Sequence, residues 1–592
     1  MDYTCRLDGA KMICTITSDR DLSAPIFCFS GMSPMTATEG GERLRGMGSF
    51  TEVALPDLKT GQPHDVVVEY TQGHRAANRA WLPLGPYLRM RDEVIALPYH
   101  PKGCVSPALP DLGLFDGLPL VPQPKKWTPS GGTVDVTGVR CSDDAFTAVA
   151  HLGQRRGWSF DGSFPVAIKT ADMQAETYRL EITSTGVQIT AGDYGGRFYA
   201  GITLLTLMQA GPLPCGVLID APRFGWRGQH LDTARHYYQP QTILDLLDLM
   251  ALLKLNRFHW HFADDEAFRL QIDSFPELWR KTEFCGEGHL LPALFAGAIE
   301  AGGSYSKDTA RAIIAHAAAL NIEVMPEIEA PAHAIAVTHV FPDTRDPADN
   351  GPGTSVQGYQ GNCVNPAMPK TWEVLEAIAK EVGDLFPFGH LHLGCDELPE
   401  DTWMGSPKAR ALMKEKGLET THDLQGWTIG KLAATVVQNG QRPAAWEEAA
   451  QGSNGGIGHD AILFSWTGQG PGLDAARAGY DVVMSPAQHI YLDMAHSADP
   501  DDWGASWAAF ISLADTINWN PVPDPALADK IIGVQGTFWS EFTTEDTQIW
   551  PMLMPRMLGV SVKAWQEADI SADDLTRLAI CYQTIWPVGP SA

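Results

Sequence analysis

At 592 residues the chain is too long for one hydrophobic core, and two to four domains are expected. Its 44% hydrophobic and 19% charged residues exclude a disordered chain. A net charge of −28 argues against nucleic acid or an anionic membrane as partner, since a polyanion is repelled. The ten cysteines are dispersed and form no CxxC pair, which fits neither a disulfide framework nor a zinc cluster and suits a reducing compartment. Met1 to Arg6 carry interleaved charges and no apolar leader core, and no run approaches the ~18 apolar residues of a membrane span. The expectation is a cytoplasmic protein, although a chain trimmed of a leader would read the same way.

From Met1 to about Leu118 the pattern is short alternating runs, such as Lys11–Ile16 and Asp65–Tyr70, broken by Gly, Pro and Asp turns. No helical period is convincing there, and residues 1–118 are expected to form a β-sandwich. Leu118 to Pro124 is a Pro-rich linker by composition. Residues 119–220 mix strand-like runs (Tyr178–Ile182, Val187–Ala191) with an amphipathic stretch from Phe198 to Met208, which reads as a small α+β domain. Residues 221–592 alternate strand and helix. Candidate strands end near Asp232–Arg235, His261–Asp264, Glu327–Glu329, Asp396–Glu397, Trp446–Glu448, Trp466, Met484–Ser485 and Trp539–Glu541. Helical patterns such as Ile243, Leu246, Leu247, Met250, Leu253 and Thr371, Val374, Leu375, Ile378 lie between them. Eight strand ends in this length fit an α/β fold of the (β/α)8 barrel type.

One stretch concentrates the chemistry. The apolar run Phe386–Gly394 closes on Cys395, Asp396 and Glu397. A buried strand ending in two acids is where a parallel barrel keeps its catalytic groups, and paired carboxylates are the usual equipment for cleaving glycosidic bonds. The dipeptide alone decides nothing, because Asp92-Glu93 and Asp265-Glu266 repeat it; taken by itself, an exposed strand-to-loop turn fits as well. Nearly every other candidate strand ends in Asp, Glu, His or Trp, and aromatic faces among eighteen tryptophans offer stacking for sugar rings.

Read in order, the segments Trp226–His236, Lys254–Glu266, Met325–His333, His390–Trp403, Trp446–Glu448, Ser465-Trp466, Tyr491–Asp493 and Gln535–Glu541 resemble glycoside hydrolase family 20, the β-N-acetylhexosaminidases, including their bacterial chitobiase-like members. The Pro-Gln-Pro linker and the run Ala200–Leu205 resemble the family's α+β partner domain, and the first ~118 residues resemble, less specifically, the carbohydrate-binding-like β-sandwich that precedes it. Two positions depart from the usual pattern: Cys395 stands where Gly or Ala is common, and Ala332 where Pro-Gly-His is usual. Both keep a small side chain. Cys395 has no adjacent base and reads as packing.

The resemblance implies an exo-acting, retaining enzyme that removes terminal GlcNAc, or GalNAc, with the substrate's own 2-acetamido oxygen as nucleophile. Glu397 would be the general acid, Asp396 would bind the acetamido N–H and steady the oxazolinium, and Tyr491 would orient the acetamido oxygen. Trp446, Trp466 and Trp539 would wall the sugar, and Arg235, Asp493 and Glu541 would hold its hydroxyls. Asp264 and His333 would act behind Glu397. For Arg235 an ion pair with Asp232 or a rim acid is the plain alternative, and for His333 a satisfied core histidine. Trp403 and Trp427 are guesses for the leaving-group side. The implied partner is a small oligosaccharide; no cofactor and no metal are implied. Two other classes remain open: a metal-dependent barrel hydrolase using His259 and His261, and a catalytically inactive sugar-binding protein.

Overall fold

The computed structural model describes residues 1–9, 11–71, 73–98, 106–292, 297–298 and 300–586; Cys104 lies outside them. Residues 2–96 form two antiparallel sheets, one of four strands and one of five. Period-2 alternation drives the pairing: in Lys11–Thr17, Met12, Cys14 and Ile16 are buried while their neighbours are not. These side chains meet Phe27, Phe29, Val66 and Val68 in a core of their own. This is the expected sandwich.

The next unit is a six-stranded sheet covered by two helices, Asp144–Arg155 and Tyr194–Ala210. Asp193 caps the second by accepting from the Gly196 amide at 2.8 Å. The helix is longer than the Phe198–Met208 pattern, because its first turn, Tyr194-Gly195-Gly196-Arg197, carries no apolar period. The sheet also takes in Leu213–Asp220, which pairs with Lys126–Val134 and Tyr178–Thr183.

Eight parallel strands then close a barrel: β1 (Trp226–Asp232), β2 (Arg257–His261), β3 (Glu323–Glu327), β4 (His390–His392), β5 (Arg442–Trp446), β6 (Ile462–Ser465), β7 (Asp481–Met484) and β8 (Ile531–Gly536). All eight expected strand ends fall at or just after their C-terminal ends. The helices Pro240–Leu252 and Pro369–Leu385 bury the periodic faces read from sequence. No helix among the described residues is long and apolar enough to cross a membrane.

The sandwich sits on the barrel's C-terminal rim. Asn78 Nδ2 donates to the Gly504 carbonyl at 3.0 Å, Arg79 Nε to the Asp501 carbonyl at 2.9 Å, and Tyr87 to Glu287 at 2.9 Å.

Candidate active site

A cavity of about 270 Å3 opens at the C-terminal ends of the barrel strands, where parallel barrels carry their sites. Arg235, His333, Asp396, Glu397, Trp446, Trp466, Tyr491, Asp493, Trp539 and Glu541 all line it. Asp264 lies behind this layer, in contact with both Arg235 and His333.

The turn after β4 explains how two consecutive acids reach one cavity. Gly394, Cys395 and Glu397 adopt φ of +65°, +80° and +50°, so the chain leaves the pleat that would send neighbours to opposite faces. Such a conformation is uncommon for non-glycine residues and concentrates at functional sites. Gly394 has no room for a side chain, since a Cβ there would fall 1.7 Å from Glu329 Oε2. Cys395 is buried, accepts from Gln425 Nε2 at 3.4 Å, and burial pushes its thiol well above the ordinary range. It is a packed thiol, as its neighbours in sequence implied.

His333 stands beside the pair. Its Nε2 faces Glu397 Oε2 at 3.4 Å and Asp396 Oδ2 at 3.7 Å, while Nδ1 meets Asp264 Oδ1 at 3.0 Å. Burial disfavours its charged form, but Asp264 and Asp396 raise it well above the usual histidine range. An imidazolium therefore bridges Asp264 and the two acids. Burial, followed by the charge of Glu397 opposed by His333, pushes the Asp396 carboxyl up to about 7.

Arg235 is fully buried and makes both kinds of contact considered from sequence. It pairs with Glu266 at 2.7 Å, Asp264 at 2.8 Å and Asp232 at 3.3 Å, and reaches Glu541 at 3.8 Å, all while lining the cavity and lying 5.3 Å over the Trp539 ring. Burial pushes Asp493 up to about 7 and Glu541 up to about 8. Burial also holds the Tyr491 phenol well above its ordinary range, so it remains a donor. Tyr491 stacks on Trp466 with centroids 6.3 Å apart and planes 14° apart. Trp466 is anchored in turn: its indole donates to Glu448 at 3.0 Å and its amide to Glu447 at 2.8 Å.

Beneath the cavity lies a buried layer of histidines and carboxylates. His261 Nδ1 meets Glu327 at 2.5 Å and its Nε2 meets Asp264 at 2.8 Å. Burial opposes its charge, but Glu327 and Asp264 lift it to about 10. His259 contacts Glu327 at 3.0 Å and Gln535 at 2.9 Å. Neither histidine lines the cavity. The metal-hydrolase alternative loses its main pair.

Trp403 and Trp427 are not at the cavity, which corrects their guessed place. Asp401 and Trp403 adopt φ of +60° and +67°, turning the chain so that the Trp403 indole donates to the Val364 carbonyl inside a separate apolar cluster. Trp427 packs edge-on against Trp372. Trp507, 47% exposed, stands at the cavity instead, edge-on to Trp466 and Tyr491 at 5.8 and 5.9 Å. Gln357 lines the cavity too, its amide donating to Glu541 at 3.5 Å. Sequence reasoning passed over both, since they sit in long irregular excursions with no period to read.

Known proteins match this architecture. The model of the "Glycosyl hydrolase family 20, catalytic domain" matches residues 224–568, and that of the family's "domain 2" matches residues 117–221. A β-hexosaminidase from Vibrio furnissii is 33% identical over 412 residues, 68% of this chain and 67% of the relative. An N,N'-diacetylchitobiase from Vibrio harveyi is 28% identical over 563 residues, 77% of this chain and 63% of the relative. The chain thus spans about two thirds of these curated relatives, and only 52% of a β-hexosaminidase from Porphyromonas gingivalis. The crystal structure of an exo β-N-acetylglucosaminidase from Vibrio harveyi with bound N-acetylglucosamine superposes with a TM-score of 0.86 at 26% identity, covering 99% of this chain and 97% of that one. With more than half its length matched by the catalytic model, this chain belongs to glycoside hydrolase family 20.

Proposed function

We propose that the protein is an exo-acting, retaining β-N-acetylhexosaminidase that removes terminal GlcNAc from chitobiose and short chitooligosaccharides. The carrying observation is that Asp396 and Glu397 present carboxylate oxygens within 4.8 Å of one another and of a His333 ring nitrogen, at one cavity. In a substrate-assisted site the second carboxylate does not attack the anomeric carbon, so retention rests on the acetamido group and not on the carboxyl spacing. The buried Arg235, Asp396, Trp446 and Tyr491 give the cavity a deep end, which suits a terminal sugar and not the middle of a chain.

The geometry supports a substrate-assisted route. Glu397, partly open to the mouth with a side chain 27% exposed, protonates the leaving oxygen. Asp396, buried beside it, accepts the acetamido N–H and balances the charge that develops as the acetamido oxygen attacks the anomeric carbon. Tyr491 donates to that oxygen against the wall of Trp446, Trp466 and Trp539. Attack from within the bound molecule replaces a bimolecular step, an advantage of up to ~7–11 kcal/mol. Water, activated by Glu397 now acting as base, then opens the oxazolinium with net retention. Arg235, Asp493 and Glu541 hold the hydroxyls, and Asp264 with His333 orients Glu397.

The boundaries 1–118, 119–220 and 221–592 are supported by the strand pairing: among the described residues, the two sandwich sheets, the six-stranded sheet and the barrel share no strand. The free cysteines among the described residues support a reducing, cytoplasmic setting. Comparing an aryl N-acetylglucosaminide with the matching aryl glucoside tests the reaction. The first should turn over and the second only in trace, since it lacks the internal nucleophile. Efficient glucoside turnover, or a sugar ester trapped on Asp396 or Glu541, refutes the route.

A further inference from the structure

The leaving group must exit past Glu397 toward solvent, and part of the wall it meets comes from the sandwich. Met32 and Ser33, on the loop before strand Met35–Glu39, and His74 and Trp81, on the segment before Leu84–Arg89, line the same cavity as Asp396 and Glu397. His74 is exposed, and its ring lies 6.1 Å from Trp81 and 6.4 Å, edge-on, from Tyr70. Trp507 and Val356, 47% and 53% exposed, line the cavity as well. Arg235, Asp396, Trp446 and Tyr491 are nearly inaccessible, which puts them at the deep end and the exposed residues at the mouth.

The sandwich is fastened there. Asn78 and Arg79, next to Trp81, donate to carbonyls of the segment that carries Trp507. On the other side, Gly48 at φ +54° lies flat on the Tyr359 ring; a Cβ there would come within 2.3 Å of it. Tyr359 donates to Glu266 at 3.2 Å, and Glu266 holds Arg235 at 2.7 Å. Two polar atoms of the sandwich wall, Ser33 Oγ and Trp81 Nε1, are buried with no hydrogen-bond partner in the protein, although each belongs to a cavity-lining residue less than 6% exposed. Buried polar groups are rarely left so without a ligand or an ordered water to complete them.

Resting on the hexosaminidase reading, we propose that the N-terminal sandwich is the leaving-group half of the active site. Its His74 and Met32, together with Trp507 of the barrel domain, form the subsite for the second sugar of a β-linked disaccharide. The exposed rings of His74 and Trp507 offer faces for that pyranose, and Met32 limits what lies beyond it. The sandwich thereby sets the preference among leaving groups, acting in place and not as a detached module for polymer.

The test compares chitobiose, whose leaving sugar fills the mouth, with N-acetylglucosaminyl fluoride, whose leaving group is one atom. Wild-type turnover of the fluoride checks the parent reading by itself. In His74→Ala the ratio of kcat/KM, chitobiose over fluoride, should fall about three- to tenfold, the size of one aromatic contact, through KM more than kcat. His74→Tyr, which keeps an aromatic face, should restore most of it. Met32→Trp, which crowds the mouth, should lower the ratio more than tenfold. Parallel losses on both substrates, or no change in the ratio in either His74→Ala or Met32→Trp, overturn the assignment.

Discussion

In the deep half of the cavity every lining side chain comes from the end of a barrel strand or the turn after it: Arg235 after β1, His333 after β3, Asp396 after β4, Trp446 on β5, Trp466 after β6, Tyr491 after β7 and Trp539 after β8. At the mouth, Met32, His74 and Trp81 come from the sandwich, while Val356 and Trp507 come from long excursions after β3 and β7. The deep groups are buried and locked by charge, as Arg235 is by Glu266 and Asp264. His74, Val356 and Trp507 at the mouth are exposed, and the sandwich's share of it is held by docking. Rigid strand ends suit groups that must be placed within fractions of an ångström, and loops suit groups that choose among leaving sugars. Substitutions in the deep half should therefore reduce the chemical step on every substrate, and those at the mouth should sort substrates.

The hardest blow to the deep half is Glu397→Gln, which keeps the shape and removes the proton. Hydrolysis of chitobiose should fall by ~10²–10⁴, and a dinitrophenyl glycoside, which needs little protonation, should lose far less. Equal losses on the two would take the acid role away from Glu397.

Asp396→Asn should lower kcat by ~10²–10³, because an amide cannot balance the developing cation; Tyr491→Phe should lose less, as one hydroxyl goes and the stack on Trp466 stays. The pH profile separates the two. With its carboxyl pushed up to about 7, Asp396 becomes protonated as the pH falls through that value, so kcat/KM should decline on the acid side. The decline should persist in full in Tyr491→Phe and be reduced in Asp396→Asn, where Asp493 and Glu541 account for what remains. A profile shared by all three proteins would place the titration on another group.

Much of the deep half is legible in the sequence because a parallel strand buried on both faces reads as a short apolar run, and the residues just past its end carry the chemistry. Phe386–Gly394 before Asp396 and Ile531–Gly536 before Trp539 are such runs. The turn itself is not legible: nothing in Cys395 or Glu397 announces a positive φ, and only Gly394, whose missing side chain leaves room for Glu329, hints at it. The mouth escapes for a different reason. Trp403 is eight residues from Cys395 yet points into another cluster, whereas His74 is more than 300 residues away and lines the cavity. Which loop meets which rim is decided by docking between domains, and residues such as Asn78 that fasten it look like ordinary loop residues. Glu266 and Glu448 close the segments Lys254–Glu266 and Trp446–Glu448, but their work is on Arg235 and Trp466 and has no spacing of its own.

The smallest effect probes what a rigid deep half costs the fold. Asp493 is 1% exposed, its Oδ1 has no hydrogen-bond partner, and burial pushes its carboxyl up to about 7. In the unfolded chain the same carboxyl ionises near ~4. Between those values the folded protein keeps a proton that the unfolded chain has released, so stability falls as the pH rises. Below ~4 both states are protonated and the penalty is absent; above ~7 it is complete. Asn has nearly the same shape and no charge. Asp493→Asn should raise the melting temperature by ~2–4 °C at pH 8 and leave it unmoved at pH 4. The same variant should lower kcat/KM ~10–100-fold, since a carboxylate binds a sugar hydroxyl more strongly than an amide does. Such opposite signs are expected where a site holds groups that the fold alone would not choose. An unchanged melting temperature at pH 8 would mean that the carboxylate is already satisfied in the empty enzyme, and that its use is structural.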